Sequence, residues 1–402
     1  MEIEDRVKDF LFRLISIPTT RGKEGEGVRY IYNEVKDFVD ECNLIRIDDS
    51  FIDDPDYAFR LDNFTYKDTP ELECIIKGTG NGKTVVFNAH VDVVPPSAGQ
   101  ENPYTPVMKD GIVYGRGAVD DKGQIAVLYA LMLLLKEKKI KFKGDIIFHF
   151  VIEEENGGNG TLAMVRRGVK ADAVLDMESS EMDVITAARG AVWFEVEVTG
   201  KAGHSGQAGK NVNSITKAFD AMKLMKEYHD KILKESRGNP LFDKFEDPMP
   251  VNFGQINGGD WPSITPSKTV FKGVFGFLPN KNRFEIQDGI RKYIKENGDD
   301  WLKDHFKISF PMLNSDGNVI PSDHPLVLSL QKAIRKHSYP GNVKALPAST
   351  DAWFYNNMAK IPTVIFGAGY MKYAHTNNEQ IPLKEVLNAG NILVDFLKDF
   401  SG

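Results

Sequence analysis

Residues 84–95 read TVVFNAHVDVVP, an apolar run that ends in a histidine and an aspartate. The first part is short, apolar and rich in β-branched residues, which is typical of a buried β-strand. Alternate side chains of a strand share a face, so His90 and Asp92 are expected to point the same way. Burying such a polar pair costs free energy unless something binds it. The stretch therefore predicts a strand whose end carries a functional group.

Apolar strands and amphipathic helices alternate around this stretch, which predicts an α/β domain with a mixed, largely parallel sheet flanked by helices. Residues 1–189 form its first part and residues 311–402 its second. The predicted strands include 73–80, 84–90, 145–155 and 363–367. The predicted helices are 4–16, 25–41, 123–137, 325–337 and 383–400.

Residues 190–310 follow another pattern and are predicted to form an inserted α+β domain. The strand AVWFEVEVTG (191–200) alternates apolar and charged residues, as a strand with one solvated face does. A helix at 214–233 and a loop-rich passage at 237–267 come next. The order strand, helix, strand, strand, helix, strand is the split βαβ, ferredoxin-like layout.

The composition limits the classes of function. Of 402 residues, 42% are apolar and 27% charged, with a net charge of -7, which is typical of a soluble protein. The sequence contains no Lys/Arg block of the kind that would indicate a nucleic-acid partner. No run approaches the roughly 18 consecutive apolar residues that a membrane-spanning helix needs. The two cysteines, Cys42 and Cys74, are expected to be reduced thiols in a cytoplasmic protein.

Four acidic or histidine positions lie where apolar strands end, namely His90, Asp120, the glutamates 153–155 and His375. Catalytic groups of open α/β sheets gather at the carboxyl ends of strands. Imidazole and carboxylate together suit zinc or a similar metal. Taken singly, each has a plain alternative: a turn histidine, a helix cap or a solvated acidic stretch. Four such positions together favour a metal site.

The chain here resembles the M20 metallopeptidase family, in the group of acetylornithine deacetylase, succinyl-diaminopimelate desuccinylase and aminoacylase. The resemblance covers nearly the whole chain and includes the blocks in the family's order. These blocks are NAHVDVVP (88–95), GIVYGRGAVDDKG (111–123), EEENGGNGT (153–161), TAARGAVWFEVEVTGKAGHSG (186–206) and YAHTNNEQI (373–381).

The resemblance implies two Zn²⁺ ions per subunit, which Co²⁺ or Mn²⁺ can replace, with one carboxylate and one water between them. Glu155 is placed by aligning the block on Gly157, so a slip of one residue stays open, and Asp176 is the alternative to Glu178. The implied ligand sets are His90, Asp120 and Glu178 for one ion, and Asp120, Glu155 and His375 for the other.

The family also implies roles around the metals. Glu154 is the general base, and Asp92 accepts a hydrogen bond from the ring of His90. His204 is the donor to the oxyanion, and in dimeric members it reaches the site of the partner subunit. A homodimer through the inserted lid domain is therefore expected, as is a cis peptide bond after Asp120.

Two family positions that commonly hold a substrate carboxylate differ here. VFGFLP (274–279) and STDAWF (349–354) carry Gly276 and Trp353 where relatives often have arginine. Arg283 or Arg189 are possible substitutes, with surface or packing roles as the alternative, and Trp353 is either an aromatic wall or a core residue. The candidate substrate-binding residues are Asn252, Arg283, Asp351, Trp353 and Gly369.

The sequence therefore predicts a di-zinc amidohydrolase that acts on a small N-acyl amino acid or acylated amine. A metallodipeptidase or aminopeptidase of the same fold is the alternative within the enzymes. A non-catalytic binding protein is the alternative outside them.

Overall fold

The computed structural model describes residues 2–61, 63–207 and 209–402, and most of its strands belong to two sheets. The larger sheet has nine strands. These are β1 (Glu41–Ile45), β2 (Glu71–Ile76), β3 (Val85–His90), β6 (Ile146–Val151), β7 (Ala173–Met177), β8 (Val184–Ala188), β16 (Asn318–Val319), β17 (Val343–Leu346) and β18 (Thr363–Phe366). A small sheet beside it contains β4 (Val107–Lys109), β5 (Ile112–Tyr114) and β19 (Gln380–Pro382).

The strand order of the larger sheet is β1-β2-β6-β3-β7-β18-β8-β16, with β17 beside β8. The neighbours β6, β3, β7 and β18 are mutually parallel, whereas β1, β2 and β16 pair antiparallel. The mixed sheet predicted from the sequence is thus confirmed, with its parallel pairing concentrated in the centre. Every residue of β3 is buried, as expected for a strand covered on both faces.

Helices cover this sheet. They are α1 (Ile3–Ile15), α2 (Gly25–Val35), α3 (Lys122–Glu137), α4 (Asn159–Arg166), α7 (Pro325–Lys336) and α8 (Leu383–Phe400). Helix α3 is buried from Lys122 to Leu135, because it packs among α1, α8 and β3. An α-helix that is apolar on all sides belongs in such an interior position.

Helix α2 is shorter than the predicted 25–41. It ends at Val35, a 3₁₀ turn follows at Lys36–Phe38, and β1 begins at Glu41. The apolar spacing that suggested a longer helix is outweighed by antiparallel pairing of β1 with β2, in which Cys42 lies opposite Cys74. Tertiary pairing commonly overrides a local helical preference in this way.

The second sheet is antiparallel and has the order β11-β13-β9-β14, with β15 beside β9. Its strands are β9 (Gly190–Thr199), β11 (Val251–Gly258), β13 (Lys268–Phe277), β14 (Phe306–Ser309) and β15 (Asn314–Ser315). The helices α5 (Ser214–Ser236) and α6 (Arg283–Asn297) pack against it, and β10 (Gly203–His204) with β12 (Ile264–Thr265) forms a separate ribbon. We call this unit the lid domain; its chain order is the predicted split βαβ layout.

Strand β11 lies inside the passage predicted to be rich in loops, so that part of the prediction is wrong. It is an edge strand with mostly exposed side chains, and it therefore lacks the apolar alternation that marks a strand. In the described part of the chain, no helix combines the length and apolar composition needed to cross a membrane.

We expect Phe148→Ala to lower the free energy of unfolding by about 3–5 kcal/mol, because removing a buried ring leaves a cavity. Phe148 is fully buried, and its ring stacks on Phe87 with 5.6 Å between centroids. Leu328→Ala, on α7, is the control, since 51% of Leu328 is exposed. Denaturant titration of both variants measures the difference, and equal losses would contradict this description of the core.

Candidate metal centre

The five predicted ligands meet at one edge of the larger sheet. His90 ends β3, Glu178 follows β7 directly, and Glu155 lies in the turn after β6. His375 lies in the loop after β18, and Asp120 lies just before α3. Because β6, β3, β7 and β18 are adjacent and parallel, their carboxyl ends lie side by side, where ligand sites of α/β sheets are found.

Asp120 lies between the two histidines. Its Oδ1 is 3.0 Å from Nε2 of His90, and its Oδ2 is 3.1 Å from Nε2 of His375. Glu178 Oε1 is 3.6 Å from Nε2 of His90, and Glu155 Oε1 is 2.9 Å from Nε2 of His375. The side chains thus form two groups that share the Asp120 carboxylate. Asp176, the alternative to Glu178, instead accepts a hydrogen bond from Asn88.

Asp121 belongs to this site and was not predicted. One ligand atom each from His90, Asp121 and Glu178 lie within 4.8 Å of one another, as do those of Asp120, Glu155 and His375. A helix cap was the alternative interpretation of the two aspartates. The Asp121 side chain makes no capping hydrogen bond to α3. Its Oδ2 accepts a hydrogen bond from the backbone N–H of His90 at 2.9 Å. The peptide bond between Asp120 and Asp121 is cis, as the family resemblance implied.

The donor set suits a pair of divalent cations. Oδ1 of Asp121 and Oε2 of Glu178 are buried without a hydrogen-bond partner among the described residues. Buried acceptors of this kind are costly unless a proton or a cation satisfies them. Imidazole nitrogens and carboxylate oxygens are the ligands that zinc takes in catalytic sites. The residues present therefore fit the metal pair that the resemblance implied.

The pKa values show how crowded the acidic groups are. Burial raises the pKa of Glu155 to about 7 and that of Glu178 to about 7. Hydrogen bonds to Asp120 and Glu155 raise the pKa of His375 to about 10. Burial opposes ionisation of Asp120, but hydrogen bonds from His375 and His90 lower its pKa overall. The cluster thus retains protons that cations would displace, because metal ligands bind in their deprotonated forms.

Asp92 acts differently from the prediction. Nδ1 of His90 donates to the backbone carbonyl of Asp92 at 3.0 Å, whereas the nearest Asp92 carboxylate oxygen is 3.4 Å away. The carbonyl can only accept, so Nδ1 carries the proton and Nε2 is left to bind a ligand. The carboxylate of Asp92 accepts from the backbone N–H groups of Glu154 and Glu155 at 3.1 and 3.0 Å. Asp92 therefore joins the His90 strand to the glutamate turn.

The three consecutive glutamates have three environments. The carboxylate of Glu153 is buried, pairs with Arg21 at 2.5 Å and accepts a hydrogen bond from Tyr66. Glu155 contacts His375, and Glu154 borders a cavity of about 270 Å³. Burial raises the pKa of Glu154 well above its usual range, and the nearby Asp351 charge raises it further. With the family block aligned on Gly157, the predicted general base is Glu154, and the structure thus places it beside this cavity.

Two buried residues outside the predicted set hold the ligand loops together. Arg116 pairs with Glu379 at 2.5 Å. The other oxygen of Glu379 accepts from the backbone N–H of Asp120 at 3.2 Å. Arg116 also donates to Ser97, whose hydroxyl donates to the carbonyl of His375 at 3.1 Å. Both residues lie in the quoted family blocks, where Arg116 precedes Asp120 and Glu379 follows His375.

His204 lies on the ribbon of the lid domain and is exposed. Its Nδ1 accepts from the backbone N–H of Gly206 at 3.0 Å. Among the described residues, no hydrogen bond or ion pair joins His204 to the two ligand groups. The structure therefore does not bring it to the metal site of its own chain.

Arg283 and Trp353 contact each other rather than the ligand groups. The Arg283 guanidinium lies 5.3 Å from the Trp353 ring centroid, pairs with Asp56 at 2.5 Å and donates to the carbonyl of Asn314 at 2.8 Å. Trp353 is only 3% exposed, so the core alternative describes it. Arg283 joins the lid domain to the loop around Asp56. These partners match the packing roles that the sequence analysis gave as the alternative, and a substrate-binding role for the pair stays a prediction.

The other three candidate substrate residues lie in separate places. Asp351 is buried and accepts from the hydroxyl of Thr161 at 2.6 Å. The backbone N–H of Gly369 donates to Glu385 at 3.0 Å. Asn252 is exposed on β11 of the lid domain. Their roles toward a substrate stay predictions.

Curated relatives cover most of the chain. One is N-formyl-4-amino-5-aminomethyl-2-methylpyrimidine deformylase of Bacillus subtilis, 27% identical over 374 residues, with 85% of each chain covered. Another is acetylornithine deacetylase of Myxococcus xanthus, 25% identical over 338 residues, with 82% of this chain and 84% of the relative covered.

Solved structures show the same fold over nearly the whole length. A tripeptidase from Staphylococcus aureus superposes with a TM-score of 0.77 at 20% identity, covering 98% of both chains. Human carnosine dipeptidase 1 gives 0.75 at 16% identity, covering 99% of this chain and 97% of that one. The model of peptidase family M20/M25/M40 matches residues 86–399. That match includes all the residues of both ligand groups, and the chain belongs to this family of hydrolases.

Proposed function

We propose that the protein is a di-zinc amidohydrolase that cleaves the amide bond of a small N-acyl amino acid or acylated amine. The observation that carries this proposal is the Asp120 carboxylate between His90 and His375, with one oxygen near each ring. The deformylase and the deacetylase among the relatives are named for removing small acyl groups, which supports deacylation over peptide cleavage.

The two ligand groups would each hold one ion. His90, Asp120 and Glu178 would hold the first, with Asp121 beside it, and Asp120, Glu155 and His375 the second. When bound, such a cation pair polarises an amide carbonyl and lowers the pKa of water. The chain fixes its ligands in advance, since Asp92 sets the tautomer of His90 and Glu379 holds the backbone at Asp120.

Glu154 is the proposed general base. It borders the cavity next to Glu155, and the carboxylate of Asp92 holds its backbone. Its raised pKa suits a group that takes a proton from water and then delivers it to the departing amine.

His204 is proposed to act in a homodimer, from one subunit toward the site of its partner. Exposed apolar side chains on the lid domain support an interface there; they include Phe219, Ile256, Trp261 and Ile264. Such exposed apolar residues are a common mark of interaction surfaces. We also propose a cytoplasmic location, because a sequence with two cysteines carries no disulfide framework of the kind common in secreted proteins.

We expect Glu154→Gln to lower kcat by roughly 10²–10⁴-fold, the usual contribution of a general base, while zinc content stays that of the unaltered protein. Metal analysis and turnover of N-acetylornithine measure both quantities. Glu227→Gln, on an exposed part of α5, is the matched control. If Glu154→Gln also lost metal, Glu154 would be a metal ligand, and its assignment as the general base would be wrong. If the protein turned over only dipeptides with a free amino group, that result would favour the peptidase alternative.

Zinc binding is expected to release protons at pH 7 and to weaken as the pH falls. Glu155 and Glu178, with pKa values of about 7, and His375, with a pKa of about 10, must lose protons to act as ligands. Calorimetry in two buffers of different ionisation enthalpy measures the released protons. His375→Ala should release fewer protons. A binding enthalpy that is the same in both buffers would contradict the proposed ligands.

Mixing two inactive variants tests the proposed role of His204. In a homodimer with shared sites, a His204→Ala subunit paired with a Glu154→Gln subunit retains one complete site. Random exchange should then restore about a quarter of the original activity. If His204 acts within its own chain, the mixture stays inactive. Sedimentation of the unaltered protein as a monomer would also contradict the proposed dimer.

A further inference from the structure

We infer that the substrate is an N-acyl arylalkylamine without a carboxylate, and that its ring occupies the cavity beside Glu154. This inference rests on the proposed function, which it narrows. If Glu154 delivers a proton to the departing amine, the cavity that it borders receives the amine side of the substrate.

The cavity is small and mostly apolar. Its volume of about 270 Å³ is close to the lower end of ligand pockets, roughly 300–1,000 Å³, so it suits a group of about one ring. Among its described lining residues there is no lysine, arginine or histidine. The lining side chains that carry the argument are Phe59, Trp193, Met312 and Leu313, with Glu154 and Glu155 at one end.

The lid domain supplies Trp193 to the lining of this cavity. Asn252, Val274 and Trp193 are direct partners across β11, β13 and β9, and directly paired residues lie on one face of a sheet. Along β9, Val192 and Phe194 are buried in the core of the lid domain, whereas Trp193 is half-buried. Trp193 therefore faces away from the helices of the lid and toward the cavity.

The strand has no space for an arginine at the usual family position. A Cβ atom at Gly276 would lie 2.8 Å from the carbonyl carbon of Met249. The backbone N–H of Gly276 also donates to the carbonyl of Pro250. The close approach of this neighbouring segment therefore excludes a side chain.

The two candidate substitutes for that arginine have other partners. Arg283 pairs with Asp56, and Arg189 donates to the carbonyls of Pro347 and Gly190. The guanidinium of Arg21 lies 5.0 Å from the Phe59 ring centroid, but it pairs with Glu153. A substrate carboxylate in the cavity would thus lie near Glu154 and Glu155 without a cationic side chain among the described lining residues. Burying an unpaired charge is costly, whereas the half-buried Trp193 offers a ring surface to an uncharged aromatic group.

N-acetylphenethylamine and N-acetylphenylalanine test this directly, because they differ only by the carboxylate. With the zinc-loaded protein, we expect kcat/KM to be about tenfold or more higher for N-acetylphenethylamine. Equal or better turnover of N-acetylphenylalanine would overturn the inference and leave the proposed function standing. If the protein hydrolyses neither of these compounds, and also fails to hydrolyse N-acetylornithine and dipeptides, the proposed function is overturned and the inference with it.

Substitutions in the cavity provide the second readout. Trp193→Ala should lower the ratio of kcat/KM for N-acetylphenethylamine to that for N-acetylmethylamine by about tenfold, mainly through KM. Met312→Lys should shift the preference toward N-acetylphenylalanine, and Met312→Gln, of similar size but uncharged, should not. Thermal melting confirms that each variant is folded. Unchanged ratios in folded Trp193→Ala and Met312→Lys would overturn the inference.

Discussion

The carboxylate of Asp120 lies between two imidazole rings, at 3.0 Å from one and 3.1 Å from the other. His90 comes from the end of β3 and His375 from the loop after β18, so this contact depends on the placing of β3 and β18 on either side of β7 in the sheet. The parallel centre of the sheet puts these chain ends side by side. The buried pair of Arg116 and Glu379 then fixes the two loops relative to each other.

Asp92 connects His90 to the turn that carries the proposed general base, Glu154. Its carbonyl fixes the proton on Nδ1 of His90, and its carboxylate holds the backbone of Glu154 and Glu155. A candidate metal ligand and the proposed base are thereby positioned by one residue. The alternation of a strand correctly put His90 and Asp92 on one side, but it did not show which oxygen of Asp92 each neighbour would use.

The sequence predicted the ends of β3 and β18 closely, because apolar runs and the polar residues after them are local features, whereas the predicted strands 73–80 and 145–155 extend beyond the observed ends of β2 and β6. It predicted the α/β sheet, the split βαβ insertion and the residues that gather at the sheet edge. It missed β11, whose exposed edge position removes the apolar alternation, and Asp121, which resembles a helix cap. It left the role of Arg283 open, because the partner Asp56 is 227 residues away along the chain. Such partners depend on the tertiary structure and leave no local pattern.

The central claim is that these distant side chains hold two divalent cations that share Asp120. An anomalous difference map from crystals of the zinc-loaded protein, collected at the zinc absorption edge, tests it most directly. We expect two peaks, one among His90, Asp120 and Glu178 and the other among Asp120, Glu155 and His375. A map without zinc between Asp120 and either histidine, although the crystals contain zinc, would contradict the claim.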